Sequence, residues 1–218
     1  MKKGTIFDIR KKISRTHEMI STSYHESGHV VYSLICGMRV SSVCIFQSKR
    51  SNRVEGFCYY ETPNLSKIQD PNLLLSLVNY EIGIKYAGLT AEKHFFKTIS
   101  GSDKFPIFLR DGSSDDTLSA AAIIRQFNVV APGKKRYEFK KKKIKQVLEE
   151  LKKYWEDVTL LAHALFSKKK LSFLDIKNLF LKKSPNKKFW RAKFKNISCI
   201  FDNISAIDDN FLKITLGL

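Results

Sequence analysis

Tyr24-His25-Glu26-Ser27-Gly28-His29-Val30-Val31-Tyr32-Ser33-Leu34-Ile35-Cys36 is the stretch from which the chain is read outward. Val30, Val31, Leu34 and Ile35 are apolar at helical spacing, Gly37 follows as a stop, and Ser21-Thr22-Ser23 offers N-caps just before it. A helix over Tyr24 to Cys36 is therefore expected. Within it, His25-Glu26-Ser27-Gly28-His29 has the form H-E-x-x-H. Positions four apart on a helix share a face, so both imidazoles can reach one zinc ion. Glu26 stands one residue along, beside the metal rather than on it, where it can take a proton from a zinc-bound water. Hydrolysis of a peptide bond needs this set: a polarised carbonyl, a hydroxide-like nucleophile and a base that later protonates the leaving amine.

A zinc site of this kind takes a third protein ligand and keeps one position open. The extended H-E-x-x-H-x-x-G-x-x-H pattern fails, because Tyr32 and Ile35 stand where Gly and His are needed. Glu55, Glu61, Glu92, His94, Asp111, Asp115 and Asp116 are the candidates, and spacing alone does not choose among them.

Working outward, Val40 to Phe46 and Val54 to Tyr60 are rich in β-branched, aromatic and apolar residues around a polar turn, Ser48 to Arg53, and predict a hairpin or small sheet. Asn72 to Ala87 reads as an amphipathic helix ending at Gly88, with Thr90 to Phe96 continuing helically. Ser100 to Gly112 reads as an irregular connection, and Ser113-Ser114-Asp115-Asp116 as the start of a helix reaching Phe127. Tyr137 to Phe166 predicts one long basic helix or a helical pair, and Leu171 to Leu181 a shorter helix. The expected fold class is mainly α with α+β character: a helical domain carrying the H-E-x-x-H helix and a small β-sheet.

The 218 residues carry 39 Lys and Arg against 21 Asp and Glu, a formal net charge of +18. A hydrophobic content of 43% argues for a packed core rather than a disordered basic tail. The charge is uneven. Residues 1–133 hold 17 basic and 12 acidic groups, whereas residues 134–195 hold 21 and 6. Cys36, Cys44, Cys58 and Cys199 form no Cys-x-x-Cys pair and are too sparse for a disulfide framework, which points to a reduced interior. No apolar run approaches the roughly 18–20 residues of a membrane helix, and no signal peptide follows Met1. A cytoplasmic chain without an integral membrane segment is expected.

Several segments together resemble the FtsH-type zinc metalloproteases. Tyr24 to Val30 is similar to that family's Y-H-E-A-G-H-A segment, and Val54-Glu55-Gly56-Phe57-Cys58-Tyr59 to its L-G-Y-T strand. Gly88-Leu89-Thr90-Ala91-Glu92 resembles G-R-A-A-E, and Gly112-Ser113-Ser114-Asp115-Asp116, with Ala120 and Arg125 downstream, resembles G-A-x-N-D. Leu165 to Leu179 is similar to the helical C-terminal part of the protease domain, so the likeness covers about residues 20–181. The resemblance implies His25, His29 and Asp116 as ligands of one zinc per chain, with Asp115 as the neighbouring rival of Asp116. It implies Glu26 as the catalytic base and Glu92 as a partner orienting one imidazole. Gly56, Phe57 and Cys58 fall on the family's substrate-binding edge strand, where an extended polypeptide adds by backbone hydrogen bonds.

The implied organisation is a basic N-terminal arm over 1–20, a zinc peptidase domain over 21–183 and a basic, aromatic extension over 184–218. The family's ATPase module and membrane anchor have no counterpart here, so an ATP-independent endopeptidase acting on unfolded or flexible polypeptides is expected. The family also suggests a homo-oligomer. The lysines of 134–143, interleaved with Tyr137 and Phe139, carry no motif for strand or base recognition; nucleic acid is disfavoured as a partner without being excluded. The competing readings are a basic helical binding module without catalysis, and a degenerate protease serving as a scaffold.

Overall fold

Helix α1 runs unbroken over Lys3–Ile35, so the helix expected from Tyr24 is the second half of a longer one. The computed structural model describes residues 3–63, 65–101, 114–130 and 133–202. The N-cap expected at Ser21-Thr22-Ser23 is thereby corrected. The backbone there is already helical, and the Ser23 hydroxyl donates to the Met19 carbonyl, 2.7 Å away and one turn back. The C-terminus of α1 does fall where Gly37 predicted. Gly37 adopts φ 81°, and the Met38 and Gly37 amides bond the carbonyls of Ser33 and Leu34 at 2.9 and 3.1 Å.

The expected hairpin is present. Strand β1 (Arg39–Gln47) pairs antiparallel with β2 (Val54–Glu61), with Val43 opposite Cys58 and Ile45 opposite Gly56. A third strand, β3 (Lys170–Ser172), pairs on the other side of β1, giving the order β2-β1-β3. Sequence periodicity missed β3 because three residues are too few to show alternation. The helix expected over Leu171 to Leu181 consequently starts later, as α6 (Phe173–Lys183), with Ser172 and Asp175 closing a reciprocal capping box.

Helix α2 (Pro71–Ser100) is capped by Asp70, whose carboxylate accepts from the amides of Asn72 and Leu73 at 2.8 and 3.1 Å. It passes straight through Gly88, where a stop was expected, and closes at Gly101 with φ 64°. Helix α3 spans Ser114–Gln126. The basic stretch is a pair, α4 (Lys134–Lys153) and α5 (Trp155–Lys168), broken at Tyr154. Helix α7 (Lys187–Asp202) closes the described chain. The connection expected over Ser100 to Gly112 lies outside the described residues beyond position 101, as does Asp111.

The core lies between α1, α2, α5 and the inner face of the sheet. Val30, Val31 and Leu34 of α1 are sealed against Ile84, Ala87 and Ala91 of α2, Leu161 and Leu165 of α5, and Val43 and Ile45 of β1. The basic helix α4 joins through Val147 and Leu151 while Lys135, Lys141, Lys142 and Lys145 face solvent. The aromatic part of the C-terminal stretch is also core. Trp190 is fully buried, 4.7 Å from the Phe180 ring, and Lys193 donates to the Ile35 carbonyl at 2.8 Å, satisfying an orphan acceptor at the end of α1. Among the described residues no helix is long and apolar enough to cross a membrane.

Candidate metal centre

Two imidazoles and one carboxylate converge at the crossing of α1, α2 and α3. His25 Nε2 and His29 Nε2 lie 3.1 Å apart, and Asp116 Oδ2 sits 3.1 and 3.0 Å from them. The histidines share a face of α1, as their spacing of four requires. Asp116 comes from the first turn of α3, where the helix dipole favours a carboxylate. The three donor atoms lie within 4.8 Å of one another, and among the described residues they form a group able to hold a metal ion. Asp115 lies outside this triad and lines the adjoining cleft. Of the other ligand candidates, His94 packs edge-on against Trp155, 4.4 Å between ring centres, and Glu55 accepts from the Ser51 hydroxyl at 2.7 Å.

The far nitrogen of each imidazole is held. His29 Nδ1 lies 2.7 Å from the carbonyl oxygen of Ile84. A carbonyl only accepts, so Nδ1 carries a proton, and Nε2 is the atom turned toward Asp116. His25 Nδ1 lies 3.2 Å from Glu92 Oε2, and the other oxygen of Glu92 accepts from the Ser21 hydroxyl. The two Nε2 atoms and a carboxylate oxygen thus face a common point. That donor set fits a cation, and a zinc ion takes such nitrogen and oxygen ligands.

The electrostatics follow from crowding. Burial alone would lower the His25 pKa, but hydrogen bonds to Asp116 and Glu92 and the charge of Glu26 win and raise it well above the ordinary value. Burial would raise Asp116, yet hydrogen bonding with His25 and His29 holds it far below the usual carboxylate range. Glu26 is pushed upward by burial, against the opposing pull of the two imidazoles.

Two glycines make the approach possible. A Cβ on Gly88 would collide with the Nε2 atoms of both histidines, so α2 can pass beneath the imidazoles only with glycine there. A Cβ on Gly56 would meet Glu26 Oε1 at 2.5 Å, which places β2 directly over that carboxylate. The cleft beside Glu26 consists of two adjoining hollows of about 360 and 210 Å³ that share His25, Glu26, Gly56 and Phe57 in their walls. Cys58 lines the smaller one, its thiol pushed up by burial and by the charges of Glu26 and Asp116. The Phe57 ring is 47% exposed.

Sequence reading brought His25, Glu26, His29, Glu92 and Asp116 to one place. It missed Ser21, read as a helix cap, and Gly88, read as a helix stop. It also missed the Ile84 carbonyl, which no side-chain motif reports. No protein-family model and no curated protein matches this chain.

Proposed function

We propose that this chain is a zinc-dependent, ATP-independent endopeptidase acting on unfolded or flexible polypeptides. The observation that carries the reading is the convergence of His25 Nε2, His29 Nε2 and Asp116 Oδ2, with Glu26 buried beside them beneath the end strand of the sheet. The ordered likeness of its segments to the FtsH-type metalloproteases supports the same reading.

In this mechanism His25, His29 and Asp116 would hold one zinc ion, which would supply Lewis acidity for the scissile carbonyl and for water. Glu92 and the Ile84 carbonyl keep a proton on each Nδ1, so that both Nε2 atoms remain donors. Glu26 takes a proton from the attacking water onto its carboxylate and returns it to the amine nitrogen as the peptide bond breaks. Burial raises the affinity of Glu26 for that proton, which suits a base that must hold it and give it back. The edge of β2 that is unpaired among the described residues positions the extended substrate by backbone hydrogen bonds.

The test is cleavage of casein by the purified chain without ATP. We expect cleavage that a chelator abolishes and zinc restores, and a Glu26→Gln variant that keeps its zinc but no longer cleaves. Cleavage by Glu26→Gln at the unaltered rate would overturn the mechanism.

A further inference from the structure

We propose that Phe57 and Tyr59 on the outer face of β2 select the substrate strand, favouring aromatic and β-branched residues at every second position. This rests on the peptidase reading and gives its substrate a pattern.

Strand alternation sends Gly56, Cys58 and Tyr60 toward α1 and the cleft, and the side chains of Glu55, Phe57 and Tyr59 to the opposite face, with Glu55 and Phe57 also bordering the cleft. Phe46 of β1, opposite Glu55, completes a row of rings on that face. Its ring centre lies 5.7 Å from that of Phe57 at an interplanar angle of 18°, and Phe57 lies 6.1 Å from Tyr59. All three are exposed, at 39, 47 and 55%.

The neighbours across β1 are small. Phe57 faces Cys44, and Tyr59 faces Ser42. Neither fills the reach of an aromatic ring, so the unused cross-strand contact lies toward the free edge of β2. Among the described residues β2 is an end strand of the sheet.

A polypeptide strand added at that edge alternates in step with β2. Its residue beside Gly56 points into the cleft over Glu26. The residues beside Phe57 and Tyr59 point outward, their Cβ atoms about 5 Å from those of Phe57 and Tyr59, where aromatic and β-branched pairs stabilise a sheet. Glu26 lies under Gly56, which places the scissile bond next to the subsite of Phe57 and leaves Tyr59 two residues further along. The outer row therefore reads the residues that the metal side of the cleft does not.

The test uses two labelled ten-residue peptides of equal composition, three Phe among Ser and Gln. One has Phe at every second position and the other at every third, so that successive rings fall on opposite faces. Binding is measured by fluorescence anisotropy on zinc-loaded Glu26→Gln protein. The first peptide is expected to bind about five-fold more tightly, and this preference to fall below about two-fold when Phe57→Ser and Tyr59→Ser are added. Equal binding of the two peptides, or a preference that survives both substitutions, overturns the selection. Cleavage by the unsubstituted chain is read separately. Cleavage without a spacing preference removes the selection alone. A preference that needs Phe57 and Tyr59, with no cleavage of either peptide, leaves the selection standing and removes the peptidase reading.

Discussion

The backbone of Gly88 lies against the imidazole of His29, 59 positions earlier in the chain, closely enough that a single added methyl would strike both His29 Nε2 and His25 Nε2. The helix-crossing distance and the metal site are therefore one feature. Alanine in a helix interior is ordinarily better than glycine by about 1 kcal/mol. Here Gly88→Ala is expected to do the reverse, lowering zinc affinity at least about ten-fold and lowering the melting temperature. Zinc titration and thermal unfolding check this; an unchanged affinity with a raised melting temperature contradicts it.

Glu92 joins His25 Nδ1 to the Ser21 hydroxyl. Glu92→Gln can turn an amide N–H toward His25 and destroy the preference for the right tautomer. We expect zinc affinity to fall about 10- to 100-fold, and Ser21→Ala to cost less, because it leaves the carboxylate on the imidazole. Competition with a chromogenic chelator gives both values.

Trp190 is fully buried against Phe180 and Phe194, although its indole nitrogen has no protein partner. Trp190→Ala is expected to destabilise the chain by about 3–5 kcal/mol. Trp190→Phe, which gives up no hydrogen bond within the protein, should cost much less. Urea unfolding of the two variants separates packing from polarity.

Cys36 is buried at the end of α1, and burial pushes its thiol up to about 12 from 9.0. The unfolded chain loses this proton from about pH 9 while the folded chain keeps it. Between these values the unfolded state binds fewer protons, so stability falls as pH rises. The nearby Lys143 and Lys193, lowered by burial, act in the opposite sense in both proteins compared. The stability of the natural chain relative to Cys36→Ser should drop by about 2 kcal/mol between pH 9 and 10.5. Urea unfolding at the two pH values measures it, and a constant difference would contradict the assignment.

What the sequence made legible was local. The H-E-x-x-H spacing lies within one turn of α1, and the hairpin follows from alternation on either side of a polar turn. Asp116 was singled out by the family resemblance, its neighbour Asp115 sharing the same helix start. The rest depended on pairs far apart in the chain. Ser21 reads as a cap until Glu92 is brought to it from 71 residues away. Gly88 reads as a stop until the two imidazoles occupy the space above it. The sheet's third strand is three residues long and owes its existence to the edge of β1, not to any pattern of its own. Helix α7 looked like a basic appendage because its lysines outnumber the three side chains, Trp190, Phe194 and Ile197, that bury it.

The central claim is that His25, His29 and Asp116 hold a metal ion beside Glu26, and metal content tests it most directly. Elemental analysis of the purified chain, alongside His25→Ala and Asp116→Ala, is expected to find about one zinc per chain in the natural sequence and almost none in either variant. A natural chain that takes up no zinc, or a His25→Ala variant that retains it in full, would contradict the account.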